Sequence, residues 1–248
     1  MAEPFIPVQP PLRRARKGGI LSVADVAEEP RLSIGGKLAY TDVAFGVSLG
    51  DAVLCYPAPA AEQTPKTYAG IDTFESIGYT AAVYAGVQCY IGGTDFEGEA
   101  RKILDLAFAH KVEESLDSYI TASPTEPIGT AASFVEAVAG LDNRGDSLEF
   151  PGGPVLLMNR GDAVRARAGK AIFGDKDGNL WTVNGTPVAA SEEFTVGRVA
   201  LTGSITIYKS PVESFTTIDH TRNREMAIAE QAFNIILDGG VVYATTVS

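Results

Sequence analysis

Between residues 81 and 91 the apolar positions Val83, Tyr84, Val87, Tyr90 and Ile91 are β-branched or aromatic, which predicts a strand interrupted at Gly86 and closed by Gly92 and Gly93. Thr94 then stands three residues before Glu97, the spacing at which a hydroxyl and a carboxylate each satisfy a free amide at a helix start. Beyond it the period changes. Phe96, Ala100, Ile103, Leu104, Ala107, Phe108, Val112 and Leu116 recur in steps of three and four, while Glu97, Glu99, Arg101, Lys102, Asp105 and Glu113 take the other face. This predicts a helix over residues 95–117, roughly 34 Å long at 1.5 Å per residue, which needs a broad surface to lie on.

Downstream the pattern predicts shorter elements. Residues 121–127 break the chain, and 130–138 form a short helix with Thr130 or Ser133 as N-cap. Asn143, Arg144, Gly145 and Asp146 read as a loop, 155–158 as a fully apolar buried strand, and 162–168 as a helix carrying Arg165 and Arg167. A turn at 176–179 separates Ile172 and Phe173 from Leu180 and Trp181. From Arg198 the period is two: Val199, Leu201, Ile205 and Ile207 alternate with polar residues as in one half-buried strand. Residues 229–237 fit either period. Asp238 and Gly239, followed by Val241, Val242 and Tyr243, favour a strand that returns as a hairpin.

The front of the chain differs. Prolines at positions 4, 7, 10, 11 and 30 predict an extended arm over residues 1–37. Strand-like pieces at 38–43 and 52–56 flank a proline-rich tip at 57–65, yet Phe45, Val47, Leu49, Val53, Leu54, Tyr56, Tyr68, Ile71 and Phe74 are apolar. Two or three strands cannot bury that surface alone. Sister copies of the chain supply the shelter most economically; folding back on its own body is the alternative.

At 248 residues and 45% hydrophobic content the chain supports a real core. No run reaches the ~20 apolar residues that cross a bilayer, and the first residues lack a secretion signal, so a protein made in the cytoplasm is expected. Cys55 and Cys89 have no second pair with which to make a metal knuckle, and Cys89 reads as a buried thiol. The net charge is −11, but Arg13, Arg14, Arg16 and Lys17 against Glu3 give residues 1–20 a balance of +3, so the other 228 carry −14. An acidic body repels a nucleic-acid backbone, and the basic arm could neutralise roughly four phosphates.

Catalytic and metal chemistry is not indicated. Residues 175–179 resemble a calcium loop, but the glycine is fourth instead of sixth and Thr186 stands where the bidentate carboxylate belongs, so a plain turn is expected. His110 reads as structural, and His220 directly follows Asp219, which does not suit a triad. The pairs Glu113 with Glu114 and Glu192 with Glu193 read as solvated faces. No nucleophile elbow, phosphate loop or dinucleotide fingerprint occurs. We expect no enzyme, no cofactor and no metal.

The strand, cap and long helix of residues 74–116 resemble the spine-helix region of major capsid proteins of the Hong Kong 97-type fold, found in tailed bacteriophages and encapsulin shells. Residues 45–79 look like the extended loop before the spine helix, 152–158 and 180–188 are similar to the axial domain, and 224–247 look like the closing strands. The resemblance implies an α+β fold in five parts: an N-terminal arm (1–37), an extended β-hairpin loop (38–80), a peripheral domain with the spine helix (81–127), an axial domain (128–197) and return strands (198–248). It implies a head protein that assembles through pentamers and hexamers into an icosahedral shell around double-stranded phage DNA, bound without sequence specificity and without a membrane, in the virion. A separate scaffolding protein, a portal and a decoration protein are the further partners implied. Contacts between copies are expected at Arg13, Arg14, Arg16, Lys17, Tyr56, Lys66, Tyr68 and Phe74, and at Asp142 and Arg144 near a symmetry axis. Lys66 is the one lysine in the loop tip and hence the donor for any covalent linkage. An encapsulin-type compartment and, in another class, a small acidic enzyme or binding module are the alternatives.

Overall fold

The computed structural model describes residues 17–34, 39–43, 73–77, 79–90, 95–122, 125–148, 150, 152–220, 224–238 and 242–247. The chain order is β1 (Asp25–Glu28), β2 (Ala39–Val43), β3 (Thr73–Ile77), β4 (Tyr79–Tyr90), α1 (Phe96–Ala122), β5 (Thr125–Ala131), α2 (Phe134–Leu148), β6 (Val155–Asn159), α3 (Arg160–Ala168), β7 (Ile172–Gly174), β8 (Leu180–Thr182), β9 (Pro187–Ser191), β10 (Arg198–Thr202), β11 (Ile205–Lys209), β12 (Glu213–Asp219), β13 (Arg224–Leu237) and β14 (Val242–Val247). Short 3-10 turns, Ile20–Ser22 and Pro30–Ile34, flank β1.

The described strands form three sheets. One has the order β1-β11-β13-β12 with β4 also on β13; a second runs β5-β14-β10-β6-β9-β8-β7; among the described residues β2 and β3 pair with each other alone. That last ladder, Ala39 opposite Ile77 through Val43 opposite Thr73, closes the base of the predicted loop. The expected strand at 52–56 and tip at 57–65 lie outside the described residues.

Helix α1 is longer than its periodicity predicts, 27 residues, and its visible cap is Asp95, whose Oδ1 accepts from the Gly98 amide at 2.8 Å. Thr94, the expected cap, lies outside the described residues. Seven of its buried side chains fall at every fourth position: Phe96, Ala100, Leu104, Phe108, Val112, Leu116 and Ile120. At about 100° per residue each such step advances the seam by roughly 40°, so the buried line winds roughly 240° around the helix. Ile103 and Ala107, expected on the stripe, stand to one side of this seam, and Ile103 is exposed. The winding lets one helix serve two surfaces. Val83, Ala85, Ala227, Ala229 and Phe233 of the five-stranded sheet share a core with α1, as do Leu157, Ala189, Phe194 and Ala200 on the side of the seven-stranded sheet. Phe108 meets Phe233 edge to face, with ring centroids 5.9 Å apart.

The other face of the seven-stranded sheet is closed by α2 and α3. Ala137, Val138 and Leu141 of α2 and Ala163 and Ala166 of α3 pack with Leu156, Met158, Val188, Val199 and Leu201. Covered on both faces, β6 buries all five of its residues, as its unbroken apolar run predicts. Asn159 caps α3 by accepting from the Gly161 amide, so this helix starts two residues earlier than expected.

Two strand expectations are corrected. The period-two run from Arg198 is two strands in different sheets: β10 lies between β6 and β14, and β11 beside β13. Likewise β13 is a strand, as expected, but forms no hairpin with β14, which runs antiparallel to β10 and parallel to β5. The chain crosses between sheets at both points, and the crossings touch. A Cβ on Gly203 would lie 2.4 Å from the Asp238 carbonyl oxygen, and the Asp238 amide donates to the Ser204 carbonyl at 2.9 Å. Alternation cannot show this, because both strands continue the same period on either side of the bend.

The arm also differs from expectation over residues 17–34. Ile20 is fully buried in the core shared with α1, Leu32 is buried, and β1 runs parallel to β11 from Asp25 opposite Thr206 to Glu28 opposite Lys209. This part of the front third finds shelter within its own chain.

Candidate assembly surfaces

The side chain that holds the front segment in place is Glu113, expected on a solvated face. It is fully buried: Oε1 accepts from the Ile20 amide at 2.9 Å, and Oε2 accepts from the Ser191 hydroxyl at 2.5 Å. One carboxylate thus ties together the N-terminal turn, the spine of α1 and the end of β9, and the Ala190 amide adds a bond to the Gly18 carbonyl at 2.8 Å. Its position was legible in part, because Glu113, Leu116 and Ile120 sit at i, i+3 and i+7 and share one helix face. The fit leaves no spare room. A Cβ on Gly19 would lie 2.3 Å from Glu113 Oε1.

One turn further along, Asp117 fastens the end of α1. Its carboxylate pairs with Arg198, each side chain being 16% exposed, and accepts from the Thr195 hydroxyl at 3.0 Å and the Thr195 amide at 3.1 Å. His110 and the pair Glu192 and Glu193 also meet, His110 Nδ1 lying 3.1 Å from Glu193 Oε1 and 3.9 Å from Glu192 Oε1. At these exposures the contact is a surface fastening of the 192–194 turn, worth under about 1 kcal/mol even when the imidazole is charged.

Asp142 and Arg144, expected in a loop, lie on α2, which runs unbroken through residues 143–146. Gly145 there serves close packing: a Cβ would stand 2.9 Å from Pro154 Cβ and 3.4 Å from Leu201 Cδ1. Asp142 is buried and faces its own chain. Oδ2 accepts from the Thr182 hydroxyl at 3.1 Å and the Asn184 amide group at 2.7 Å, and Oδ1 accepts from the Thr186 hydroxyl. Asp142→Ala should remove the anchor from this 182–186 turn and cost about 2–4 kcal/mol. Denaturant unfolding measures the loss, and faster amide exchange at Thr186 locates it.

Asp175 organises the neighbouring turn. Its Oδ1 accepts from the Asp177 amide at 2.8 Å and the Asn179 amide at 2.9 Å, and Oδ2 accepts from the Asn179 side chain at 3.0 Å. Desolvation pushes this carboxyl up, but the bonds from Asn179, Asp177 and Gly178 together outweigh it and hold the group below the usual carboxylate range. The turn keeps this fastening above that range and loses it as pH falls through the depressed value. These bonds make 175–179 the turn expected.

Of the other expected contact residues, Arg13, Arg14, Arg16, Tyr56, Lys66 and Tyr68 lie outside the described residues. Phe74 is in β3, opposite Asp42. Lys17 is exposed beside the β7–β8 turn, its Cδ 3.0 Å from where a Gly178 Cβ would sit, and Arg144 is exposed on α2. Two exposed apolar rows went unnoticed in the sequence: Ile228 with Phe215 directly opposite it and Tyr84 nearby on the five-stranded sheet, and Phe173 opposite Trp181 on the seven-stranded one. Among the described residues no helix is long and apolar enough to cross a membrane.

No family model matches the sequence, and no curated protein matches it. The backbone, however, aligns end to end with the capsid of a native GTA particle, covering 100% of this chain and 96% of that one, with a TM-score of 0.64 at 12% identity. The chain has the Hong Kong 97-type capsid fold. The capsid of cyanophage P-SCSP1u is similar over 98% of this chain and 93% of its own, with a TM-score of 0.59 at 10% identity. A virus-like particle from Pyrococcus furiosus shares the same capsid fold, with a TM-score of 0.54 at 8% identity over 92% of this chain and 91% of that one. Within this capsid fold α1 is the spine helix.

Proposed function

We propose that the chain is the major capsid protein of a tailed bacteriophage, assembling through pentamers and hexamers into an icosahedral shell around double-stranded DNA. The observation that carries this reading is the end-to-end correspondence with capsid chains. The function is mechanical enclosure and needs neither catalysis nor a cofactor. In this reading Tyr56, Lys66, Tyr68 and the basic cluster at Arg13, Arg14 and Arg16 contact neighbouring copies. The acidic body lets the duplex pack without sticking. A scaffolding protein, a portal and a decoration protein complete the particle, which is made in the bacterial cytoplasm.

A second reading, an encapsulin-type compartment, is favoured by the likeness to the Pyrococcus furiosus virus-like particle. Cargo decides between them. Particles purified from infected or induced cells and treated with nuclease should retain protected double-stranded DNA. Shells that hold a protein cargo and no protected DNA would establish the compartment instead.

A further inference from the structure

One face of the spine helix receives a single turn. His110, Glu113 and Asp117 stand at i, i+3 and i+7 on α1, and each meets the segment 191–195 that ends and follows β9. Glu113 Oε2 accepts from the Ser191 hydroxyl at 2.5 Å, and the Asp117 carboxylate accepts from the Thr195 hydroxyl at 3.0 Å. Between these fastenings the Asn159 side chain donates to the Glu192 carbonyl at 3.2 Å and the Phe194 carbonyl at 2.8 Å, and Phe194 is buried in the core shared with α1. The backbone that carries Glu192 and Glu193 is therefore fixed.

Two carboxylates and an imidazole converge on this frame. His110 Nδ1 lies 3.1 Å from Glu193 Oε1 and 3.9 Å from Glu192 Oε1, and one ligand atom from each of the three residues falls within 4.8 Å of the other two. Of the two distances to Nδ1 the shorter alone is a hydrogen-bond length. Together they bracket the roughly 3.3 Å that separates ligand atoms around a tetrahedral zinc with bonds of about 2.0–2.1 Å. Lys111, close enough to Glu193 to feel its charge, is bonded to Glu114 at 2.5 Å. With the imidazole neutral, as a metal ligand must be, a divalent ion balances the two carboxylates.

We infer that His110, Glu192 and Glu193 bind a divalent transition-metal ion, zinc by their donor set, which fastens the spine helix to the turn after β9. An imidazole nitrogen suits zinc, whereas magnesium and calcium take shells of oxygen. Three protein ligands leave a fourth position to water. The side chains of His110, Glu192 and Glu193 are 36%, 60% and 21% exposed, so an ion reaches them from solvent without unfolding of the chain. Without the ion the contact is a weak surface pair. With it, three metal–ligand bonds join two elements, and the Asn159, Ser191 and Thr195 hydrogen bonds hold the ligands in place. In sequence His110 and the glutamate pair read as unrelated residues, and the fold brings them together. The inference goes beyond the shell reading and does not rest on it.

The test titrates zinc chloride, in excess magnesium, into the chelator-stripped full chain by calorimetry. Four forms are compared: wild type, H110A, E193Q and, as a control in the other acidic turn, D177N. Wild type should bind one zinc per chain with a Kd below about 10 μM. H110A and E193Q should each weaken binding at least tenfold, and D177N should leave it unchanged. Should H110A misfold by far-ultraviolet spectrum, the isosteric E193Q decides alone. X-ray absorption should show imidazole nitrogen and carboxylate oxygen at about 2.0–2.1 Å from the ion. Zinc should also slow amide exchange across residues 191–195 in wild type and not in H110A. Weaker wild-type binding, binding that survives H110A and E193Q, or an equal loss in D177N overturns the site; binding without slower exchange overturns the fastening. Each of these results leaves the shell reading standing, because the measurements are made per chain, assembled or not.

Discussion

Glu113→Ala should destabilise the body by about 2–5 kcal/mol, because it strips the acceptor from two buried donors at once, the Ile20 amide and the Ser191 hydroxyl. The loss is a large fraction of the 5–15 kcal/mol typical of a whole domain. Glu113→Gln separates geometry from charge. Its carbonyl can still accept from one donor, and the Ser191 hydroxyl can rotate to accept from the new amide group, so the cost should stay near 1 kcal/mol. Thermal unfolding of both variants gives the totals, and hydrogen exchange at Ile20 tells where the structure opens. In the alanine variant the Ile20 amide should exchange well before the spine-helix amides. Equal stability of the alanine variant and wild type would mean that the burial of Ile20 and Leu32, β1 and the Ala190–Gly18 bond hold the front segment without the carboxylate.

Deleting residues 1–16, or separately the tip at 57–66, should abolish assembly while the body stays folded. Residues 17–34 are anchored within the chain, so a truncation that stops before Lys17 leaves Ile20 and β1 in place. A longer truncation, through residue 36, would remove Ile20 and Leu32 from their cores and confuse folding with assembly. Each subunit of a closed shell touches several neighbours, so small losses per contact multiply. A tenfold rise in the concentration needed for assembly corresponds to only about 1.4 kcal/mol per subunit. Sedimentation velocity across a concentration series measures the rise, and an unchanged unfolding midpoint shows that the body is intact. Normal shells from both deletions would assign the front of the chain no part in assembly.

Much of this fold was legible in the residues, because its elements announce themselves locally. The strand at 79–90, the long helix, the buried run of β6 and the Asp175 turn follow from period, apolar run length and turn chemistry. What failed was information carried by partners distant in sequence. Glu113 reads as solvated until Ile20 and Ser191, far from it along the chain, are seen to donate to it. Residues 143–146 read as a turn because Asn, Gly and Asp favour one, whereas packing against Pro154 and Leu201 uses the missing side chain of Gly145 and keeps the helix going. The crossings at Gly203 and Asp238 were hidden for the same reason: alternation reports that a residue is in a strand, not which sheet the strand joins. Trp181 and Phe173 were placed correctly on either side of a turn. Their exposure became visible only with the extent of the cover over the sheet.

The most direct measurement is electron microscopy with mass determination on the purified full-length chain over a range of concentration and salt. Closed icosahedral particles in the megadalton range are the predicted result. A uniform species no larger than a hexamer under every condition would contradict the account at its centre.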